Sequence, residues 1–191
     1  MNLTHRLATE NDIAELHKLI ELSVRSLQKN DYTDAQIDGA LGTLLGLDTQ
    51  LIKDGTYFVI ESTEAPRTLT NSGSSQIVGC GGWSYRRTLF GSDNASVRES
   101  QVLDPAVDAA KIRAFFVHPD WARKGIGSRI LTLCENAARQ ASFKTFEMGA
   151  TLTGIPLYTA HGYSQCERVD VPLSNGEFLQ VVLMKKIAEP L

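Results

Sequence analysis

Cysteine is scarce: Cys80, Cys134 and Cys166 are odd in number and far apart, and none sits in a CxxC spacing. That excludes a disulfide framework and a zinc knuckle, and leaves buried, reduced thiols as the expectation. Long apolar runs are also missing. Nothing approaches the roughly 18 residues a spanning helix needs, and the first residues, Met1 to Arg6, lack the apolar core of a signal peptide. The reading is a cytoplasmic protein without a membrane partner. Neither sign of charge dominates, since 19 basic and 22 acidic residues leave a formal charge of −3. So weak a field argues against a nucleic-acid partner. Two phosphate-binding signatures are absent as well. No GxxxxGK[ST] occurs, and a GxGxxG reading of Gly125 and Gly127 meets Ile130 where the third glycine belongs. Glu147 is the only acid near the place where a ribose-binding carboxylate should follow, which sets a nucleotide oxidoreductase aside. No internal repeat and no metal-ligand spacing is found.

What the chain does have is the makeup of one globular domain over residues 1–191, with 42% hydrophobic and 21% charged residues. Residues 3–7 read as a strand. Thr9 to Asp12 then offer capping side chains before Ile13, Leu16, Ile20, Val24 and Leu27, which recur at helical spacing. A second helix is expected over 33–45, started by Thr33 and Asp34 and weakened by Gly39 and Gly42. Strand formers over 56–61 and 76–85 predict an antiparallel pair, and the Ser, Thr, Pro and Gly of residues 62–75 predict a surface loop between them. Residues 87–110 show no period and read as a structured loop near a site. A strand at 111–117 is broken by Pro119 and followed by a helix face of Ile126, Ile130, Leu133, Cys134, Ala137 and Ala141. A strand over 145–150, a short helix over 155–160, and two strands, 163–171 and 178–184, complete the chain, the last two joined through Asn175-Gly176, a hairpin signal.

Between the strand at 111–117 and its helix lies Arg123-Lys124-Gly125-Ile126-Gly127-Ser128. A helix N-terminus presents unpaired N–H groups and the positive end of the helix dipole, and the two glycines let an anion approach the backbone. Arg123, Lys124 and the Ser128 hydroxyl add charge and a donor, which suits the two phosphates of a pyrophosphate. The stretch from Phe115 to Gly127 resembles the central motif of the GCN5-related N-acetyltransferases, the GNAT family, which reads Q/R-x-x-G-x-G/A. Ala122 stands at its first position, with Arg123 beside it in place of the usual polar group. A second stretch, Pro156-Leu157-Tyr158-Thr159-Ala160-His161-Gly162-Tyr163, is similar to the family's (F/L)Y-x-x-x-G-(F/Y) segment; the Asn usual before that helix is replaced by Thr153 or Gly154.

The resemblance implies an α/β domain of the α+β type. It would have a mixed, mainly antiparallel sheet, parallel only where the central strand meets the strand beginning near Thr145, with helices on both faces. It implies transfer of an acetyl group from acetyl-CoA to a primary amine of a small molecule or protein. Phe115, Phe116 and Val117 would hold the pantetheine arm, residues 123–128 the pyrophosphate, and Tyr158 would be the general acid that protonates the departing thiolate. For the base, the central strand offers no carboxylate, and Glu147 or Asp108 remain. His161 reads as a helix cap, His118 as a turn residue, and Trp83 and Tyr85 as core or acceptor-pocket aromatics on one strand face. Two alternatives stay open: a non-catalytic acyl-CoA sensor, and a homodimer built on the C-terminal strands.

Overall fold

A computed structural model of the chain describes residues 2–64, 75–95 and 99–188. Its elements are β1 (Leu3–Leu7), α1 (Ile13–Leu27), α2 (Asp34–Ala40), α3 (Thr49–Lys53), β2 (Tyr57–Ser62), β3 (Gln76–Ser84), β4 (Ala110–Val117), α4 (Ile126–Gln140), β5 (Thr145–Thr151), α5 (Ile155–Ala160), β6 (Ser164–Pro172) and β7 (Phe178–Ile187). One sheet holds all seven strands, in the order β1-β2-β3-β4-β5-β7-β6. Every pair is antiparallel except β4 with β5, whose crossover is α4. The mixed sheet of the sequence reading is therefore present.

Alternation along the strands makes two cores. Tyr57, Val59, Cys80, Phe116, Leu179 and Val181 face one side, which Leu16, Leu19, Ile20 and Val24 of α1 cover. Val78, Ile112, Phe146, Val182 and Met184 face the other, which Ile126, Ile130, Leu131, Cys134 and Ala138 of α4 cover. Asn175-Gly176 makes the expected turn, with Gly176 at φ +86° and Leu173 N–H donating to Glu177 O at 2.8 Å.

Three expectations need correction. The helix expected over 33–45 stops at Ala40: Gly39 lies against the far hairpin, where a Cβ would come within 2.4 Å of Asn175 Oδ1, and the chain turns through Gly42 at φ +77°. A short helix not foreseen, α3, follows, capped by the Asp48 carboxylate accepting from Gln50 N–H at 3.1 Å. Cys166 is exposed on the edge strand β6, whereas Cys80 and Cys134 are buried. The expected loop at 62–75 falls largely outside the described residues.

Candidate functional site

β4 and β5 are joined at only two register pairs, Ala110 with Phe146 and Lys111 with Glu147. Beyond Lys111 they part, while β5 continues on β7 as far as Thr151 opposite Val181. The cause is a bulge in β4. Three steps from Arg113 to Phe116 face two from Gly82 to Cys80, and Ala114 takes φ +57°. For a residue with a Cβ that conformation costs on the order of 1–2 kcal/mol. It is held by fully buried Tyr57, whose hydroxyl donates to Ala114 O at 2.9 Å and lies 3.2 Å from Cys80 Sγ. Gly82 leaves room for that ring, since a Cβ there would stand 2.7 Å from Tyr57 Cδ2.

The parted strands open a narrow cavity of about 70 Å³ whose walls include Gln28, Phe90, Ala114, Phe115, Met148 and Tyr158. A strand that leaves its neighbour exposes backbone N–H and C=O groups, which need partners. Of the three residues expected to meet pantetheine, Phe115 and Phe116 line this cavity. Val117 N–H instead donates to Ser23 Oγ of α1 at 3.2 Å.

Residues 123–128 form the turn into α4. Arg123 at φ +61° and Gly125 at φ +81° are both left-handed, and Gly125 is the N-cap. This orientation leaves the N–H groups of the first helical turn without intrahelical acceptors. Arg123 and Lys124 are exposed, and Lys124 Nζ lies 5.1 Å from the centre of the Trp121 ring. The helix is set close to the sheet by glycine: a Cβ on Gly79 would fall 2.5 Å from Ile126 Cγ2, and one on Gly81 2.7 Å from Ile130 Cγ2. Gly127 does the same toward α5, where a Cβ would meet Leu157 Cδ2 at 3.0 Å.

Tyr158 of α5 is 8% exposed and stands edge-on between Phe115 and Tyr163, with ring centres 6.1 and 6.0 Å away. Burial pushes its pKa well above the ordinary value of 10.0. It is therefore a protonated donor throughout the neutral range. The structure thus brings Tyr158 and Phe115 together beside the turn into α4.

Glu147 is not brought to this cavity. It lies in the paired part of β5, bonded to Lys111 Nζ and 3.2 Å from Lys185 Nζ. Burial raises its pKa, but the two ammonium groups outweigh that and leave it below the usual carboxylate range. A carboxylate so held is a weak base. Asp108 is engaged too, its Oδ2 accepting from Asp104 N–H at 2.9 Å. Trp83 packs on Phe143 and Tyr85 in the α4-side core, away from the cavity. His161 bonds Leu157 O through Nδ1 at 2.8 Å, and His118 Nδ1 accepts from Asp120 N–H at 3.2 Å. Among the described residues no group of His, Cys, Asp and Glu is arranged to hold a metal ion, and no helix is long and apolar enough to cross a membrane.

Several residues of the site carried no sequence signal. Arg113, 3% exposed at its side chain, bonds Asp48 Oδ2 at 2.8 Å and Gly91 O at 2.7 Å. This ties the loop after β3 to both β4 and the start of α3. Phe90 of that loop sits on Gly149 of β5, where a Cβ would approach its Cδ1 to 2.7 Å.

The family described as Acetyltransferase (GNAT) domain matches residues 53–165, more than half of the chain. No curated protein matches it in sequence. Among solved structures, a GCN5-related N-acetyltransferase of Rhodopseudomonas palustris superposes with a TM-score of 0.66 at 16% identity, over 98% of this chain and 96% of that one. The yncA protein of Salmonella typhimurium, solved with its cofactor acetyl-CoA, gives 0.62 at 17% identity over 100% and 96%. The PaiA N-acetyltransferase of Thermoplasma acidophilum, in complex with coenzyme A, gives 0.61 at 11% over 98% and 99%. Identities this low speak for the fold alone. The family match, however, spans the bulged strand, the glycine turn and Tyr158 together, and the chain belongs to the GNAT acetyltransferases.

Proposed function

We propose that the protein transfers an acetyl group from acetyl-CoA to a primary amine, with Tyr158 as the general acid. The observation that carries this is the gap between β4 and β5, which has a buried, protonated phenol in its wall and is followed along the chain by a glycine turn into the α4 N-terminus that suits an anion. Residues 123–128 would hold the pyrophosphate through backbone N–H groups, helped by the charge of Arg123 and Lys124. Phe115 and Phe116 would supply backbone to the pantetheine arm and a donor to the developing oxyanion. Family members solved with acetyl-CoA or coenzyme A support the choice of co-substrate.

The amine nitrogen attacks the thioester carbon, the C–S bond breaks, and the thiolate takes the Tyr158 proton. The ammonium proton leaves to solvent, from which Tyr158 is recharged. No carboxylate lines the cavity among the described residues, so Glu147 is not retained as the base. Its two lysine partners support a role in fastening β5 against β4 and β7 instead.

Calorimetric titration with acetyl-CoA, followed by a thioester-cleavage assay over primary amines, tests the reading. Wild type should bind. Gly125→Asp, which sets an anion where the pyrophosphate should lie, should lose at least about tenfold in affinity. Binding without cleavage for any amine would favour the acyl-CoA sensor. Absence of binding would sink the proposal.

A further inference from the structure

The cavity contains a polar group that neither the fold nor the acid chemistry uses. Gln28, the C-terminal cap of α1, is 8% exposed, lines the cavity beside Tyr158, and has its Oε1 enclosed without any hydrogen-bond donor. Leaving a buried amide oxygen unpaired costs on the order of 1–3 kcal/mol. The Gln28 backbone is fully employed: its N–H donates to Val24 O at 3.2 Å and its carbonyl accepts from Tyr32 N–H at 3.1 Å. The side chain is not needed for the helix end.

The rest of the wall narrows what can satisfy that oxygen. Leu44, Leu45, Leu89, Phe90, Met148 and Val181 contribute apolar side chains to the wall, beside the exposed backbone of the parted strands. Apart from Tyr158, its one ionisable wall residue is Arg113, which is committed to Asp48 and Gly91 O. Among the described residues nothing in the wall would neutralise a second positive charge on the acceptor, and a desolvated, unmatched ammonium is strongly disfavoured.

Building on the acetyl-transfer reading above, we infer that Gln28 orients the acceptor: its Oε1 accepts a hydrogen bond from the attacking amine, and the cavity takes a primary amine carried on an otherwise uncharged body. The bond leaves the nitrogen lone pair aimed at the thioester carbon while the N–H is held toward α1. A half-turn of the amide would present nitrogen instead of oxygen. A glutamate at this position offers oxygen in both places and so decides which atom matters.

The test uses the full chain with acetyl-CoA and two probe amines, benzylamine and spermidine, reading thiol release alongside acetyl-CoA affinity and Tm. Wild type is expected to favour benzylamine over spermidine in kcat/KM by at least about tenfold. Gln28→Leu should raise the benzylamine KM about tenfold with acetyl-CoA affinity unchanged, and should keep or raise Tm because an unpaired buried oxygen is removed. Gln28→Glu should hold KM near the wild-type value. Preference for spermidine, turnover of neither amine by a protein that binds acetyl-CoA, an unchanged KM in Gln28→Leu, or a Gln28→Glu that fails as Gln28→Leu does would each overturn the inference. Loss of Tm in Gln28→Leu would reassign the residue to packing. A wild type that binds no acetyl-CoA would instead remove the acetyl-transfer reading on which the inference rests.

Discussion

As the proposed acid, Tyr158 gains from burial: desolvation raises its pKa above 10.0, so the proton it would donate is present throughout the neutral range. Replacing it with Phe keeps the ring contacts to Phe115 and Tyr163 and removes only the proton. Tyr158→Phe should therefore lower kcat by roughly 10²-fold or more with acetyl-CoA affinity unchanged, measured by steady-state kinetics and calorimetry. An equal loss of affinity would mean a packing role. The sign of the pH dependence follows from the same shift. An acid with a raised pKa loses its proton only above that pKa, so no falling limb from Tyr158 should be seen below pH 10. With no cavity carboxylate among the described residues to act as base, kcat/KM should rise about tenfold per pH unit as the acceptor amine deprotonates. A plateau that begins between pH 5 and 7 for an alkylamine would reveal an enzymic base. Tyr158 stood out as a candidate in the sequence because it sits inside a spaced motif. Gln28 did not, since a glutamine at the end of an amphipathic helix looks like any solvated cap until the fold wraps it. Glu147 looked eligible for the opposite reason: its partners, Lys111 and Lys185, come from strands far away in sequence.

The elements that build the groove depend on residues without side chains. Gly79 and Gly81 let α4 rest on β3, and the first helical residue, Ile126, lies within the turn proposed to hold the pyrophosphate. Gly79→Ala would put its Cβ into Ile126 Cγ2, lifting the helix start, and should cost about 1–3 kcal/mol by chemical denaturation together with a loss of acetyl-CoA affinity. Combining it with Ile126→Ala, which removes the offending methyl, should cost less than the two single changes summed. Strict additivity would show that the helix does not need this close approach. The strand, the glycines and the helix face were all readable from local pattern and turn chemistry. The bulge was not. Ala114 at φ +57° carries no signal of a left-handed position, as Gly or Asn would, and its support comes from Tyr57, a residue on another strand. The early end of α2 was hidden for a similar reason, because Gly39 is explained by Asn175 on the far hairpin.

For the whole molecule, the bulge divides the sheet into β1 to β4 and β5 to β7, joined by two register pairs, the helices and the packing of Phe90 on Gly149. A ligand seated between the halves replaces the missing ladder, so it should act on stability as well as on chemistry. Binding to the folded state alone stabilises by about 2.7 kcal/mol when the ligand is at a hundred times its Kd. Acetyl-CoA should raise Tm accordingly, but a rise in Tm by itself does not locate the ligand. Hydrogen exchange does. Protection should concentrate in residues 114–116, in 125–128 and along the free side of β5 near 148–151, because those segments border the gap and the turn. Val117 should change least, since its N–H is already given to Ser23. A Tm increase accompanied by protection only at β1 or β6, the two edges of the sheet, would place the ligand elsewhere and detach the groove from the function assigned to it.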